Sequence, residues 1–295
     1  ANMPQTDKSP ASVLAPQQGT RSHRFVTRLI ISVVLINMLA IIYAGSTLYS
    51  SKKESVLAAE TRSRTIARAV DQSITSNVDK IDIALQILVR EAEAQLAQGT
   101  LQPNTLLQSL KQQQLMLPES AGCRIFDATG HIVAAVGILA TALPQLDISQ
   151  RSYFLDLKSG SAKGLYISPP LRSLVSEEVA VLFVRRINNP AGQFAGLVLV
   201  PVKVEYFSQL MQHFDLTSSD ATTLRYRDLS MIVRYPPYLK DGKPVDASPN
   251  LSDELRQTAL SGVTEGVFHS ISPSDQIKRI KTFHRVSNAP FVIIG

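Results

Sequence analysis

The chain of 295 residues is long enough for one or two domains, and its content of 44% apolar and 18% charged residues is typical of a folded protein. The formal net charge of +6 is modest and no block of lysines and arginines occurs, so nucleic acid is not expected as a partner. The single cysteine, Cys123, excludes an intrachain disulfide and a cysteine-based zinc site, and its apolar neighbours predict a buried thiol.

The first predicted element is a transmembrane helix over residues 29–49. This run, LIISVVLINMLAIIYAGSTLY, contains no charged residue and is long enough to cross a hydrocarbon core of ~30 Å. The alternative is a cleaved signal peptide, but the apolar core of such a peptide is shorter and ends at a small-residue cleavage site. An uncleaved membrane anchor is therefore the favoured interpretation, and the lipid bilayer is an expected partner.

The charges on either side of this helix predict its orientation. More basic residues precede it than follow it, and basic residues near a transmembrane helix favour the cytoplasmic side. We therefore expect residues 1–28 in the cytoplasm and the rest of the chain outside. The composition of residues 1–28, rich in proline, glutamine, serine and threonine at its beginning, predicts a disordered tail.

A long helix is predicted from Ser51 to about Gln98, since the chain has no proline or glycine there. Apolar residues recur at steps of three and four, which predicts one buried stripe along the helix. The residues of this stripe are Ile66, Val70, Ile74, Val78, Ile81, Leu85, Leu88 and Ala92. The helix could be a stalk that continues as the spine of a domain, or part of a dimer seam. A shorter helix is predicted to begin near Pro103.

Beyond Ala121 the pattern changes to short β-type runs. The stretch CRIFDATGHIVAAV predicts a hairpin around the turn Asp127–Gly130. A loop with a small helix follows, and then come the strands GLYISPP, EEVAVLFVRRI and GQFAGLVLVPVKV and the short helix EYFSQLMQHF. A long helix followed by antiparallel strands predicts an α+β domain, with one meandering sheet packed on the long helix.

A second, shorter cycle repeats this layout. TTLRYRDLSMIVRYP predicts another hairpin, and LSDELRQTALSG predicts a helix with Ser252 as N-cap and Gly262 at its end. GVFHSISPSDQIKRIKTFHRV predicts two strands, and APFVIIG a final apolar strand. The repeated order of hairpin, helix and strand pair predicts two tandem sheet domains.

Signals for an enzyme are absent from the sequence. The five histidines have no metal-ligand spacing, and no nucleophile elbow, phosphate-binding loop or dinucleotide fingerprint occurs. Glu177 and Glu178 are adjacent, but neighbouring strand residues point to opposite faces of a sheet. We therefore expect no catalytic residue, no metal and no cofactor in this chain.

The stretch DISQRSYFLDL contains the strongest candidate for a binding residue. The planar guanidinium of Arg151 can give a carboxylate two parallel charge-assisted hydrogen bonds. Tyr153 could add a hydroxyl donor and an apolar wall. The alternative is that Arg151 pairs with Asp147 or Asp156 and the aromatic residues belong to the core.

Several stretches together resemble the double Cache sensor domains of bacterial transmembrane receptors, which contain two PAS-like sheets. They are DISQRSYFLDLKSG, GLYISPPLRS, VLFVRRINNPAGQFAGLVLVPVKVEYFSQL and GVFHSISPSDQIKRIKTFHRVSNAPFVIIG. The sensor regions that precede diguanylate cyclase or histidine kinase domains are the most similar. The resemblance implies a membrane-distal domain over residues 50–213, including the long helix, and a membrane-proximal domain over residues 214–295.

The resemblance also implies a ligand pocket in the distal domain. Arg151, Tyr153 and Phe154 match the R-x-[WY]-[FY] stretch that lines this pocket in the family. An aspartate binds the amine in the amino-acid-sensing members, but Pro201 stands at that position here. The expected ligand is therefore a small polar or carboxylate-bearing molecule that lacks an amine.

Further candidates for this pocket lie on the strands that follow. They are Tyr166, Ser168, Phe183 and Arg185. Because side chains alternate along a strand, Phe183 and Arg185 share one face while Val184 and Arg186 share the other, and only one set can line a pocket.

The expected function is the periplasmic sensor region of a receptor in the bacterial inner membrane, with a homodimer formed through the long helix. We expect a second transmembrane helix and a cytoplasmic output domain after Gly295, with a diguanylate cyclase as the first expectation. A histidine kinase or a chemotaxis receptor is the alternative output. A ligand-free dimerisation or protein-binding module is the alternative function.

Overall fold

The longest element of the fold is helix α1 (Gly19–Ala97), which has 79 residues. The computed structural model describes residues 19–137, 146–174, 178–214, 221–237, 239–240, 243–244, 253–271 and 278–295. No proline interrupts α1, and it ends just before Gly99, whose φ of 114° lies in the left-handed region. Residues 19–28 are therefore helical, and their prediction as part of a disordered tail is wrong. Residues 1–18 of that tail lie outside the described residues.

The chain divides into two compact units, Ala1–Ala58 and Ala59–Gly295. Within the first unit, the apolar side chains of residues 29–49 are exposed, including Ile41 at 72% and Tyr49 at 76%. Among the described residues, α1 is the one helix that is long and apolar enough to cross a membrane, with a mean hydropathy of 2.4 in its most apolar stretch. This finding rests on length and composition and agrees with the predicted span.

The first part of the second unit contains an antiparallel sheet of six strands among the described residues. Its strands are β1 (Gly122–Asp127), β2 (Ile132–Gly137), β3 (Leu165–Ile167), β4 (Leu171–Arg172), β5 (Val179–Asn188) and β6 (Phe194–Lys203). Their order is β2-β1-β6-β5-β3, and β4 also pairs with β5. Helix α2 (Pro103–Met116) precedes the sheet, and α3 (Ser152–Ser159) lies between β2 and β3 in the chain.

The two faces of the first sheet pack against different helices. Ile125, Phe183 and Val198 are buried in one core together with the predicted stripe of α1. Phe126 and Val184, which point the other way, belong to a second core that includes residues of α3. The alternation of side chains along each strand thus separates a face that contacts α1 from a face that contacts α3.

The second sheet follows helix α4 (Val204–Gln212) and has the order β11-β12-β13-β7-β8. Its strands are β7 (Thr222–Tyr226), β8 (Met231–Tyr235), β11 (Glu265–Ile271), β12 (Lys278–Arg285) and β13 (Phe291–Ile294). The chain between β8 and β11 contains a two-residue pair, β9 (Leu239–Lys240) and β10 (Lys243–Pro244), and helix α5 (Asp253–Leu260). The predicted N-cap Ser252 lies outside the described residues, whereas Gly262 has a φ of 83° just beyond α5.

The second sheet is also packed between α1 and a small helix. Leu224, Phe291 and Ile293 share the core of the α1 stripe. Leu255 of α5 packs with Phe283 on the opposite face. The predicted α+β fold with a long helix and two antiparallel sheets is therefore confirmed.

Polar contacts fix both sheets to α1. On the first sheet, the Arg185 guanidinium donates two hydrogen bonds to the Asp82 carboxylate, with Nε–Oδ1 at 2.5 Å and Nη2–Oδ2 at 2.8 Å. On the second sheet, His284 Nε2 lies 2.8 Å from Asp71 Oδ2. Helix α1 therefore contacts each sheet through apolar packing and through ion pairs or hydrogen bonds.

One buried hydrogen bond also joins the two sheets directly. The hydroxyl of Tyr226, at the end of β7, donates to the carbonyl of Ile167, at the end of β3, over 2.8 Å. Tyr226 is only 4% exposed, so this hydroxyl needs a protein partner. The end of β3 is thus tied to the end of β7.

Candidate functional site

A cavity lies between the α3-facing side of the first sheet and the chain that leads into α3. It encloses about 500 Å³, counted together with the open solvent at its mouth. The floor is apolar and includes Leu182 of β5 and Leu199 and Pro201 of β6. Arginine, tyrosine and serine side chains supply the polar part of the lining. An apolar floor with a few polar groups is typical of sites for small molecules.

Arg151 lines this cavity from the N-cap position of α3. Its backbone is extended, with φ −77° and ψ 138°, and its N–H donates to the carbonyl of Ile148 over 2.9 Å. Asp147 accepts a hydrogen bond from the backbone N–H of Ser149 at 2.7 Å. Among the described residues, no hydrogen bond or ion pair joins the guanidinium of Arg151 to Asp147 or Asp156. The structure therefore favours a guanidinium directed to the cavity over the alternative of a local ion pair.

Tyr153 lines the cavity beside Arg151 and is 5% exposed. Burial raises the pKa of its hydroxyl to about 12, although the nearby charges of Arg151 and Arg124 act in the opposite direction. The hydroxyl is therefore protonated at neutral pH and can donate a hydrogen bond to an anion in the cavity.

Arg124 of β1 also lines the cavity and was not among the predicted site residues. Its Nε is buried and has no hydrogen-bond partner among the described residues. Burial lowers the pKa of Arg124, while the nearby Tyr153 and Cys123 raise it. The signal that could have identified Arg124 is a cation inside an apolar strand, two residues before Phe126 and on the same face.

Three of the candidate residues lie near the cavity without lining it. Phe154 is fully buried and meets the ring of Phe194 edge-on, with 5.3 Å between ring centroids. The Tyr166 hydroxyl donates to Asp156 Oδ2 over 3.4 Å. Ser168 is fully buried, where its hydroxyl donates to the Pro169 carbonyl at 2.7 Å. Their contacts are those of core and loop residues, and direct ligand contact by any of them is not supported by this geometry.

Phe183 and Arg185 lie on the other face of the first sheet. Phe183 is buried in the core that contains the α1 stripe, and Arg185 forms the ion pair with Asp82. The side chains of β5 that line the cavity are instead those of Ala180 and Leu182. The alternation along β5 was predicted correctly, but the candidates belong to the face that does not contact the cavity.

The thiol of Cys123 lies on the opposite face of β1, in the core that contains the α1 stripe. Cys123 is fully buried, and burial raises the pKa of its thiol to about 12. Within the described residues, no group of three or more histidine, cysteine, aspartate or glutamate side chains could hold a metal ion. The chemistry available in the cavity is therefore the binding of an anion by arginine and tyrosine side chains.

Residues 204–295 match the family model of the dCache_1-like histidine kinase sensor domain. The extracellular domain of rpHK1S-Z16, which is assigned as a histidine kinase, has the same architecture, with a TM-score of 0.67 and 25% identity over 81% of this chain and 94% of that one. This likeness extends over more of the chain than the residues that match the family model.

Two chemoreceptor domains from Campylobacter jejuni are also similar in fold to this chain. The sensory domain of Tlp3, solved with isoleucine bound, has a TM-score of 0.56 and 12% identity over 81% of this chain and 93% of that one. The periplasmic sensory domain of Tlp1 has a TM-score of 0.61 and 12% identity over 79% and 92%. No curated protein sequence matches the chain. The chain is thus similar to the sensor domains of histidine kinases and chemoreceptors: residues 204–295 match the family model, and the solved domains share the fold.

Proposed function

We propose that this chain is the extracytoplasmic, small-molecule-sensing part of a receptor anchored in the bacterial inner membrane, with residues 1–28 in the cytoplasm and residues 50–295 in the periplasm. One observation carries the proposal. The cavity presents Arg151 and Tyr153 above an apolar floor, and the Arg151 guanidinium makes no hydrogen bond or ion pair within the described part of the chain. An open cavity with an uncompensated cation is a site for an anion.

The chemistry of the cavity supports a carboxylate ligand. The Arg151 guanidinium gives a carboxylate two parallel hydrogen bonds, and the Tyr153 hydroxyl can give a third. Tlp3 has structures with isoleucine and with L-valine bound, which are amino acids with an amine. In this chain Pro201, which has no side-chain acceptor for an amine, lines the cavity. We therefore propose a carboxylate without an α-amine as the ligand.

The proposed partner on the cytoplasmic side is a histidine kinase domain. The diguanylate cyclase that the sequence suggested has no support beyond that resemblance, whereas the matched family model describes a histidine kinase sensor domain. The proposed homodimer forms through α1, where Ile83 is 59% exposed and Ile87, one turn further, is 43% exposed. Exposed apolar residues at this spacing are suited to a helix–helix contact.

The second candidate function is a dimerisation or protein-binding module without a ligand. That function predicts that the protein's own side chains fill the space on the α3-facing side of the first sheet and leave no cavity. The open cavity beside Arg151, with its arginine and tyrosine lining, favours the sensor instead.

A thermal-shift screen tests the proposed function. The full chain in detergent micelles is screened against small carboxylates, amino acids and neutral solutes, and we expect carboxylates to raise the melting temperature by preferential binding to the folded state. Arg151→Met should abolish the shift, whereas Arg90→Met, at an exposed position on α1, should leave it unchanged. A shift that persists in a folded Arg151→Met variant would contradict the role of this cavity.

A further inference from the structure

The cavity contains more positive charge than one carboxylate can neutralise. Three arginines line it, Arg124, Arg151 and Arg172, and no aspartate or glutamate occurs among the described lining residues. Arg172 takes part in another interaction, so the argument rests on the first two. Two guanidinium groups without a carboxylate give this small volume a charge of +2.

The two arginines come from different elements and converge on one group. Arg124 belongs to β1 and Arg151 to the N-cap of α3, yet the charges of both act on the hydroxyl of Tyr153. Both arginines also line the same cavity as Tyr153. Like charges close together in a site of low dielectric repel each other, so the empty cavity is electrostatically unfavourable.

A ligand with one carboxylate would neutralise only one of these two positive charges. If that carboxylate binds Arg151 and Tyr153, the Nε of Arg124 stays buried without a partner. Unpaired buried charges are costly, and a second anionic group would pair with this one. An α-ammonium group would add a third positive charge, which disfavours free amino acids.

We propose that the cavity binds a small organic acid with two anionic groups, one held by Arg151 and Tyr153 and the other by Arg124. This inference rests on the proposed function and names the ligand class of the same site. The chain between the two acid groups lies over Leu182, Leu199 and Pro201, whose apolar surface suits methylene groups. The ligand class is therefore that of short α,ω-dicarboxylates.

Isothermal titration calorimetry of the full chain in detergent micelles tests the inference. The probes are the linear dicarboxylates from malonate to suberate, the monocarboxylate of equal carbon number for each, and inorganic phosphate. We expect the best dicarboxylate to bind about 10- to 100-fold more tightly than its matched monocarboxylate, which is the effect of one further charge-assisted pairing. The measurements are made at low ionic strength, since salt screens the interaction.

Two substitutions separate the roles of the arginines. Arg124→Met should remove the preference for dicarboxylates and leave monocarboxylate affinity within about twofold, since Arg151 and Tyr153 are intact. Arg151→Met should weaken the binding of both series. If Arg124→Met does not fold, Arg124→Lys keeps the charge without the planar fork and should reduce the preference to an intermediate value.

The outcomes distinguish this inference from the proposed function. Equal affinity for the two series, lost in Arg151→Met, would overturn the dianionic ligand and leave the carboxylate sensor intact. Phosphate binding as tight as the best dicarboxylate would overturn the assignment of two separate acid groups. If no dicarboxylate binds, the inference fails. Carboxylate binding unaffected by Arg151→Met would contradict the proposed function itself.

Discussion

The ion pair between Asp82 of α1 and Arg185 of β5 offers a quantitative test of how the long helix is held to the first sheet. The Asp82 carboxylate accepts two hydrogen bonds from Arg185 and a third from Gln86 Nε2 at 2.8 Å. The side chains of Arg185 and Asp82 are 23% and 20% exposed. The pair is therefore intermediate between a surface ion pair and a buried one.

Asp82→Asn removes the negative charge and keeps the shape of the side chain. Breaking a fully buried pair costs about 3–5 kcal/mol of unfolding free energy, whereas an exposed pair contributes about 0.2–1 kcal/mol. At one-fifth exposure we expect a loss of about 2 kcal/mol. For a folded unit of this size, that loss lowers the melting temperature by roughly 4–8 °C.

The assay is thermal unfolding of the full chain in micelles, followed by circular dichroism of the β-sheet signal. Glu178→Gln provides the control, because its ion pair with Lys203 at 2.8 Å is more exposed, at 43% and 30%. The control should lose no more than about 1 kcal/mol, which corresponds to a shift of the melting temperature of at most about 2–4 °C. If Asp82→Asn behaves like Glu178→Gln, or if Arg185→Met and Asp82→Asn are additive in a double-mutant cycle, the reasoning is refuted.

Three further substitutions or reactions test other parts of the structure. Pro201→Asp should weaken dicarboxylate binding about tenfold or more in calorimetry, because the new carboxylate competes for the arginines of the cavity. Leu88→Ala should cost about 2–5 kcal/mol of unfolding free energy, since Leu88 is fully buried, while Leu115→Ala on α2, where Leu115 is 82% exposed, should change it by less than about 0.5 kcal/mol. Cys123 should react with a thiol reagent at neutral pH only after denaturation, because burial raises its pKa from 9.0 to about 12.

Each of these predictions has a specific contrary result. Pro201→Asn is the neutral control for Pro201→Asp, and equal affinities of the two variants would contradict the electrostatic argument. Equal stability losses in Leu88→Ala and Leu115→Ala would contradict the assignment of the buried stripe. The raised pKa of Cys123 also predicts a pH dependence. The free energy of unfolding should fall as pH rises above about 9, because the unfolded thiol ionises there and the folded one does not. Rapid labelling of the native thiol would contradict its burial.

Local patterns in the sequence predicted the elements of the fold because those patterns are set by neighbouring residues. The hairpin of β1 and β2 was visible from the turn residues between Asp127 and Gly130 and the apolar runs on both sides. The buried stripe of α1 was visible from its spacing of three and four. The beginning of α1 at Gly19 was not predicted, since a helix extends through polar residues once a neighbouring segment has formed it.

The lining of the cavity was only partly predictable, because it depends on contacts between distant parts of the chain. The alternation along β5 defined two sets of side chains, but the choice between them depends on Asp82, which is 103 positions away from Arg185 in the chain. Arg151 and Tyr153 were found through a family resemblance, and their placement in the cavity agrees with it. Arg124 was missed because a cation in an apolar strand, although notable, does not indicate which distant residues share its surroundings.

The hydrogen bond between Tyr226 and Ile167 has a mechanical consequence. Ile167 immediately precedes Ser168 and Pro169, and the next residues, Leu171 and Arg172, line the cavity. A displacement of this cavity wall must therefore either break a buried hydrogen bond, at a cost of about 1–3 kcal/mol, or pull the end of β7 with it. This hydrogen bond therefore couples the position of the cavity wall to the position of β7 in the second sheet.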